Sequence, residues 1–229
     1  MKKIVAVIVA AGEGVRMGDG PRKQYISLGN LPVLVHTLLV FDKNPEIDHI
    51  VLVLPESDLS FCRGKIIAPF HFNKKIQLVS GGASRQESVY NGLKAVEGDC
   101  DIVVIHDGVR PFVSDRLISE SVRGAQKYGA CIVAVPAKDT LKIVKNNAIQ
   151  KTFPRDEVWL AQTPQAFRYN LIVKAHEKAR IEQLKETDDA ALVERLRGEV
   201  YLVQGELLNI KITTPEDLKI AEAILSISN

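Results

Sequence analysis

The chain has 229 residues, 46% of them apolar and 25% charged, a composition typical of a globular domain with a full hydrophobic core. Its formal net charge of +2 is too small to predict a nucleic-acid partner, so any anion site must come from locally placed Lys and Arg. Cys62, Cys100 and Cys131 match neither a disulfide framework nor zinc-ligand spacing, which favours a reducing cytoplasm.

The apolar run at residues 4–11 predicts a buried first strand. It stops at Gly12, and no A-x-A cleavage site follows it, so a signal peptide is the weaker interpretation. We expect neither a membrane segment nor a membrane partner.

Short β-branched runs predict strands that are buried on both faces, at residues 4–9, 49–54, 76–79, 101–105 and 131–135. Between them, apolar residues recur at helical spacing near residues 35–39, 89–96 and 117–125. This alternation predicts an α/β fold with a doubly wound, mostly parallel, Rossmann-like sheet. Ligands of such sheets bind beyond the carboxyl ends of the strands.

The alternation stops between residues 137 and 159. Residues 140–145 alternate polar and apolar, Asn146-Asn147 supplies a turn that tolerates positive φ, and residues 148–153 return. This pattern predicts a projecting β-hairpin arm. Because a lone hairpin is marginal in water, the arm should pack on a second subunit or back on its own domain, and the sequence leaves both open.

The remainder predicts helices at residues 169–184 and 188–197 and strands at 200–203 and 209–213. A last helix should start at Thr214, a suitable N-cap, with Pro215 at its first position. No repeat or linker interrupts the chain, so we expect one domain over residues 1–229, with the arm at 137–159 as part of it.

A loop of small residues follows the first predicted strand: Ala10-Ala11-Gly12-Glu13-Gly14, then Arg16, Gly18 and Lys23. Small residues let backbone N–H groups approach phosphate oxygens. The spacing of the glycines is that of neither a dinucleotide fingerprint nor a P-loop. Arg16 and Lys23 add two cations suited to a triphosphate, whereas the glycines alone would also fit an ordinary tight turn.

Three later segments carry further glycine and polar residues: Gly81-Gly82-Ala83-Ser84-Arg85-Gln86-Glu87-Ser88-Val89, His106-Asp107-Gly108-Val109-Arg110-Pro111, and Asn209-Ile210-Lys211-Ile212-Thr213-Thr214-Pro215-Glu216-Asp217-Leu218. With the first loop and Lys23-Gln24-Tyr25, they resemble the 2-C-methyl-D-erythritol 4-phosphate cytidylyltransferases across essentially the whole chain. Ribitol-5-phosphate cytidylyltransferases are similar throughout. The resemblance implies transfer of CMP from CTP to a polyol phosphate, with Mg²⁺ or another divalent cation.

The resemblance also implies a nucleotide site, which comprises Ala10, Ala11, Gly12, Gly14, Gly82, Ala83, Arg85, Ser88 and Gly108. Cytosine is expected at Gly82, Ala83 and Ser88, where a backbone carbonyl would accept from its exocyclic amine. Some relatives have an aspartate in place of Ala83, which puts more weight on that carbonyl. The catalytic cations implied are Arg16, Lys23 and Lys211, the last in a predicted strand where a lysine needs an anionic partner.

The implied acceptor site comprises Asp107, Arg110, Thr140, Arg155, Thr163 and Thr187. In the family the arm crosses to a partner subunit, which implies a homodimer. Asp107 is a candidate metal ligand, although the triphosphate is expected to hold the ion chiefly. His106 suggests a general base, but a core histidine is the favoured interpretation. Leu208 departs from relatives that have an acid before Asn-Ile-Lys.

The mechanism expected from these residues is direct attack of the acceptor phosphate on the α-phosphorus of CTP, catalysed by positioning and charge neutralisation. The same chemistry on D-ribitol 5-phosphate is one alternative. A non-catalytic nucleotide-binding domain is another, although the retained cations count against it. A glycosyltransferase would show an Asp-x-Asp motif after a strand, whereas Asp99-Cys100-Asp101 precedes one.

Overall fold

The structure, a computed structural model, describes residues 3–12 and 22–228. Its central sheet contains β1 (Lys3–Val9), β4 (His49–Leu54), β5 (Ile76–Ser80), β6 (Cys100–Asp107), β7 (Ala130–Pro136), β10 (Trp159–Arg168) and β11 (Tyr201–Gln204). These seven strands lie in the order β11-β7-β10-β6-β1-β4-β5. The predicted parallel strands are confirmed, with ends that differ by at most two residues.

Strand β1 lies between β4 and β6 and is parallel to both. From β1 the chain adds β4 and β5 in one direction and then returns with β6 on the other side. The order of the strands therefore reverses at the carboxyl end of β1, which is where open α/β sheets bind their ligands.

Strand β10 runs antiparallel to its neighbours β6 and β7 and was not predicted. Its middle, Gln162-Thr163-Pro164-Gln165, lacks a β-branched run, and the register against β7 shifts between Ala161 and Gln165. Proline cannot donate a ladder hydrogen bond, so this irregularity falls where the strand holds a proline. The buried polar residues of this stretch face the site described below.

Helices cover both faces of the sheet: α1 (Val33–Lys43), α2 (Leu59–Phe61) with the π-helical turn Cys62–Ile67, α3 (Arg85–Lys94), α4 (Asp115–Tyr128), α5 (Tyr169–Ile181), α6 (Asp189–Arg195) and α7 (Pro215–Ser228). Alternate residues of β1 point to opposite faces. Ala6 and Ile8 pack in one core with α1 and α4, whereas Val5 and Val7 pack in the other with α3, α5 and α6.

Helix α3 lies very close to the sheet, because Gly92 has no side chain there. A Cβ at this position would stand 2.6 Å from Cγ1 of Val7 and 2.8 Å from Cγ2 of Val53. Close packing fixes the first turn of α3, with Arg85, above the carboxyl ends of β1 and β4.

Two short hairpins lie outside the main sheet: β2 (Ser27–Leu28) with β3 (Leu31–Pro32), and β8 (Leu141–Lys145) with β9 (Ala148–Phe153). The second is the predicted arm. Asn146 and Asn147 have φ of 52° and 61°, as a two-residue type I′ turn requires. Ile149 is 64% exposed and Phe153 41% exposed, so the arm presents apolar side chains on its surface.

The strand predicted at residues 209–213 is wrong: this segment is irregular. It is held by single contacts, such as Ile212 N–H donating to the carbonyl of Val109 at 2.9 Å, and these do not form a ladder. The side chain of Ile212 packs with Leu28, Val33 and Ala221 in a small third core. Helix α7 then begins at Pro215 as predicted, with Asp217 N–H donating to the hydroxyl of Thr214.

Candidate active site

A cavity of about 670 Å³ opens at the carboxyl ends of β1, β4, β5 and β6. Each strand contributes the residues that follow it: Ala10, Ala11 and Gly12; Pro55, Glu56 and Ser57; Gly81, Gly82 and Ala83; and Asp107 at the end of β6. The first predicted loop therefore lies where the topology places a ligand site.

One wall of this cavity is formed by the loop after β1 and by Arg22, Lys23 and Gln24. The buried amide of Gln24 donates to the carbonyl of Ala10 at 2.9 Å, which ties the 3₁₀ turn Lys23–Tyr25 to the loop. Lys23 thus lines the cavity, and its catalytic role stays a prediction. The predicted residues Gly14 and Arg16 lie outside the described residues.

Arg22, which the sequence analysis did not single out, joins this wall to the loop after β4. Its Nε lies 3.2 Å from Oδ2 of Asp58. Asp58 ends the 3₁₀ turn Glu56–Asp58, whose first two residues also line the cavity. The ion pair therefore links two of the loops that surround the opening.

The opposite wall is the tight turn before α3. Gly82 N–H donates to the hydroxyl of Ser88 at 3.1 Å, and that hydroxyl donates to the carbonyl of Ser84 at 2.8 Å. Ser84 caps α3 through Glu87 N–H, and the carboxylate of Glu87 accepts from Ala83 N–H at 2.8 Å. A Cβ at Gly81 would lie 2.5 Å from Cβ of Ala11, so the absence of a side chain at Gly81 lets the two walls pack directly against each other. Four hydrogen bonds therefore hold the turn in this conformation.

Asp107 lies at the centre of a cluster of cations. Its carboxylate accepts from Nε of Arg85 at 3.0 Å and lies 2.7 Å from Nζ of Lys211, while Nε of Arg110 is 3.9 Å away. Burial alone would raise the pKa of this carboxyl, but the charges of Arg85 and Lys211 outweigh burial and hold its pKa well below the usual range. Asp107 is therefore ionised at neutral pH.

A second cavity of about 250 Å³ adjoins the first and shares Arg85, Asp107 and Lys211 with it. Its other lining residues are Arg110, Ala161, Gln162, Thr163, Gln165, Thr187 and Asp188. The predicted acceptor residues Asp107, Arg110, Thr163 and Thr187 are thus brought together around this smaller space.

Arg110 is held by Asn209, whose carbonyl accepts from Nη1 at 2.7 Å. Burial lowers the pKa of this guanidinium, although the carboxylate of Asp107 opposes the shift. Among the described residues, no acceptor is within hydrogen-bond distance of its buried Nε. Arg110 nevertheless lines the second cavity, so the positive charge of its guanidinium would attract an anion there.

The hydroxyl of Thr163 is already engaged. It accepts from Asp107 N–H at 3.1 Å and donates to Nδ1 of His106 at 3.0 Å. Nε2 of His106 donates to the carbonyl of Arg110 at 3.3 Å. Burial lowers the pKa of His106 to about 3, so the ring is neutral and both nitrogens are occupied. These contacts support the core-histidine interpretation and assign Thr163 a part in holding Asp107.

Other predicted site residues lie away from the cavities within this chain. Gly108 lines neither of them. It is buried, and a Cβ there would lie 3.0 Å from Leu34 and 3.1 Å from Ala10, so it permits close packing beneath the loop. Thr140 and Arg155 are exposed on the arm, where Arg155 donates to the carbonyl of Lys138.

The described residues do not fit a resident metal site. No group of three or more His, Cys, Asp or Glu side chains comes together in residues 3–12 and 22–228. The candidate ligand Asp107 already has one oxygen on Arg85 and the other on Lys211.

Several residues that shape the site were not found from the sequence. Asp189 accepts from Arg85, Gln165 donates to Asp188 at 2.9 Å, and Asn209 donates to the carbonyl of Thr163. Nothing in the local sequence singles out Asp189, because a second function of an acid at a helix start leaves no mark in the local pattern.

Taken together, a large cavity with cations and a smaller one with a buried guanidinium meet at Arg85, Asp107 and Lys211. Two anionic ligands could be held with their phosphates adjacent at this boundary.

Comparison with known proteins agrees with this arrangement. The model of the family described as IspD, 2-C-methyl-D-erythritol 4-phosphate cytidylyltransferase, matches residues 4–227. The enzyme of that name from Geobacter metallireducens is 48% identical over 225 residues, 97% of each chain. Its counterpart from Syntrophotalea carbinolica is 50% identical over 97% of this chain and 96% of its own.

Solved structures agree with the sequence matches. The crystal structure of 4-diphosphocytidyl-2C-methyl-D-erythritol synthase from Anaerococcus prevotii superposes with a TM-score of 0.87 at 39% identity, over 98% of this chain and 96% of that one. The chain belongs to the 2-C-methyl-D-erythritol 4-phosphate cytidylyltransferase family.

Proposed function

We propose that the protein transfers the cytidylyl group of CTP to 2-C-methyl-D-erythritol 4-phosphate and releases pyrophosphate. The observation that carries this proposal is the pair of adjoining cavities that share Arg85, Asp107 and Lys211. Family membership supplies the two substrates.

In this proposal CTP occupies the larger cavity. Its phosphates lie against Ala10, Ala11, Gly12 and Lys23. Gly14 and Arg16, which are outside the described residues, are expected to contact them as well. Cytosine lies at Gly82, Ala83 and Ser88. One lone pair of the Ser88 hydroxyl and the backbone carbonyls of this turn are acceptors for the exocyclic amine, which uracil lacks. The hydrogen bonds that hold the turn in place support such discrimination.

The acceptor occupies the smaller cavity. The guanidinium of Arg110 lines this cavity and would hold the acceptor phosphate through its positive charge, and Thr187 and Asp107 line the remaining wall. Thr140 and Arg155 would come from the arm of a second copy of the chain, because the arm exposes apolar side chains that a homodimer interface would cover.

The chemistry is an in-line displacement. An oxygen of the acceptor phosphate attacks the α-phosphorus of CTP, the new P–O bond forms as the bond to the β-phosphate oxygen breaks, and pyrophosphate leaves on the opposite side. A phosphate monoester has its second pKa at about 6 and is largely ionised at neutral pH, so the nucleophile needs no base. Lys211, Lys23 and Arg16 balance the developing charge.

Divalent metal enters this scheme with the substrate. Mg²⁺ prefers phosphate oxygens and water to a full set of protein ligands, so the CTP triphosphate would carry it into the larger cavity. The engagement of Asp107 by cations supports this assignment.

We further propose a cytoplasmic location. Cys62, Cys100 and Cys131 are all free thiols, as is usual for a reducing compartment. Burial raises the pKa of Cys62 to about 12 and that of Cys131 to about 11, so neither is a reactive thiolate. In residues 3–12 and 22–228, no helix has both the length and the apolar character needed to cross a membrane.

The experiment that tests the function is pyrophosphate release from CTP and Mg²⁺ with methylerythritol phosphate, D-ribitol 5-phosphate or no acceptor. We expect release with methylerythritol phosphate only. Release with ribitol phosphate only would overturn the acceptor. Measurable CTP binding without release from any mixture would overturn the enzymatic function itself.

A further inference from the structure

A chain of paired side chains, in which carboxylates alternate with basic groups, runs from the interior of the protein to the boundary between the two cavities. It consists of His176, Asp189, Arg85, Asp107 and Lys211, with 3.0, 2.9, 3.0 and 2.7 Å between successive partners. We propose that Asp189, held by His176, is a positioning residue for the transfer reaction, because it anchors Arg85 and through it Asp107 and Lys211. Its effect on turnover rests on the proposed function; its effect on Arg85 does not.

Arg85 is the link between two carboxylates that come from different parts of the fold. It is the first residue of α3, and its Nε donates to Asp107 at the end of β6. Its Nη1 donates to Asp189, the first residue of α6. The Arg85 side chain is 28% exposed, whereas that of Asp189 is 1% exposed. One edge of the guanidinium therefore faces the cavities, and the other is bound by a carboxylate in the interior of the protein.

Asp189 itself is held by a side chain of α5 and a side chain of β10. Nε2 of His176 donates to its Oδ1 at 3.0 Å, and the side-chain oxygen of Gln165 accepts from its backbone N–H at 3.2 Å. His176 is fully buried on α5 and stacks with Tyr90 of α3, with ring centroids 6.3 Å apart. Three helices and β10 therefore determine where the carboxylate stands.

A long guanidinium side chain loses considerable rotational entropy when it is ordered, so one anchor at a partly exposed site holds it poorly. Asp189 supplies a second anchor in a low-dielectric environment, where an ionic hydrogen bond is strong. With Arg85 fixed, Asp107 has one oxygen committed to Arg85 and presents the other to Lys211. Without Asp189, the Arg85 side chain can turn into either cavity, and the positions of Asp107 and Lys211 are no longer fixed by Arg85.

The test replaces Asp189 with Asn. Asparagine has one side-chain acceptor, which cannot serve both Arg85 and His176 in the same way, and it removes the charge. The matched control is Asp42→Asn. Asp42 is 3% exposed, accepts hydrogen bonds from Asn73 and Lys74, and lies toward the amino ends of the strands, away from the site.

The first readout is the ¹⁵N–¹H signal of the Arg85 Nε–H, assigned by its disappearance in Arg85→Lys. We expect a sharp signal in the wild-type protein and in Asp42→Asn, and a shifted or broadened signal in Asp189→Asn. An unchanged signal in a folded Asp189→Asn protein would overturn the proposal. This readout needs no turnover, so it decides the positioning role even if the wild-type protein released no pyrophosphate.

The second readout is kcat and KM for pyrophosphate release by Asp189→Asn, by Arg85→Lys and by the double variant that carries both substitutions. We expect Asp189→Asn to lower kcat by roughly tenfold to a hundredfold. Arg85→Lys,Asp189→Asn should lose little more than Arg85→Lys, since both changes act through one side chain. Losses that multiply, or an equal loss in Asp42→Asn, would mean that Asp189 contributes only to general stability.

If Asp189→Asn does not fold, His176→Phe takes its place. Phenylalanine retains a ring against Tyr90 but cannot donate to Asp189. We expect a smaller disturbance of the same Arg85 signal and a reduction of kcat of about threefold to tenfold. A folded His176→Phe protein with the wild-type Arg85 signal and kcat would count against the proposal.

Discussion

Lys211 and Asp107 illustrate how a buried carboxylate can be kept charged beside an open site. The carboxylate would be costly without partners, and three cations surround it at 2.7 to 3.9 Å. Lys211 remains 35% exposed toward the cavities, so it can reach a ligand while it stays paired. The negative charge of Asp107 therefore both holds the Lys211 ammonium group in place and sets its orientation at the cavities.

Replacement of Lys211 by Met tests that role. Methionine keeps most of the side-chain volume and removes the ammonium group, while Arg85 continues to pair with Asp107. We expect kcat for pyrophosphate release to fall by about a hundredfold or more, with little change in the melting temperature. Lys219→Met, at an exposed position of α7, is the matched control and should keep normal turnover. Near-normal turnover of Lys211→Met would remove Lys211 from the catalytic machinery.

His106 should make the stability of the protein depend on pH. Its pKa is lowered to about 3 by burial, whereas an unfolded chain would protonate it near its ordinary value of 6.5. The unfolded state therefore binds more protons between these values. Stability is fully present above about pH 6.5 and falls as the pH drops toward 3, by at most about 1.4 kcal/mol per pH unit from this residue.

The variant His106→Gln can keep a donor and an acceptor but does not titrate. We expect its unfolding free energy, from urea denaturation, to fall by roughly 2 kcal/mol less than that of the wild type between pH 7 and pH 5. This interval lies above the ordinary pKa of Asp107, so that carboxyl does not contribute. His71→Gln, at an exposed position, should behave like the wild type. Equal losses in the wild type and His106→Gln would contradict the buried neutral state.

At the scale of elements, strands buried on both faces could be predicted because their sequences are continuous apolar runs, such as residues 49–54. Strand β10 could not. Its Gln162, Thr163 and Gln165 are nearly fully buried, but their hydrogen-bond partners lie on β6, α6 and the segment near Asn209. Burial of polar residues that is satisfied by distant partners leaves no periodic signal in the local sequence.

The strand prediction at residues 209–213 failed for the opposite reason, because here the local pattern is that of a strand and the structure is not. The alternation of apolar and polar residues in this segment is that of a strand, yet no neighbouring strand among the described residues pairs with it. Thr213 N–H and Thr214 N–H donate instead to the carboxylate of Asp217, at 2.8 and 2.9 Å. The start of α7 thus takes over the backbone groups that a ladder would have used.

Some parts of the site could likewise be predicted from the sequence, and others could not. The loops after β1, β5 and β6 could be predicted because glycine, small and charged residues follow apolar runs, and they do line the cavities. Arg22, Asp189 and Gln165 were missed because their roles depend on the partners that the fold brings to them. Gly108 was placed at the nucleotide by resemblance, whereas it packs beneath the loop.

At the scale of the whole molecule, the acceptor cavity is formed without Thr140 and Arg155. Both lie on the exposed arm, where Ile149 and Phe153 are exposed apolar side chains, as is Leu160 at the start of β10. An arm that buries these side chains on a second copy would bring its polar residues to that copy. The homodimer we propose therefore predicts that each site is built from two chains.

Heterodimers of two inactive variants test this prediction. One chain carries Lys211→Met and the other Arg155→Ala, each with a different affinity tag, and the mixed dimer is purified through both tags. If arms act across the interface, one of its two sites has both residues intact, so we expect about half of the wild-type turnover from two chains that are each inactive alone. The reciprocal control pairs a wild-type chain with a chain that carries both substitutions. It should be nearly inactive, because its intact core receives the arm that carries Arg155→Ala and its intact arm reaches a core without Lys211. Activity in that control and none in the mixed dimer would mean that Arg155 serves its own chain.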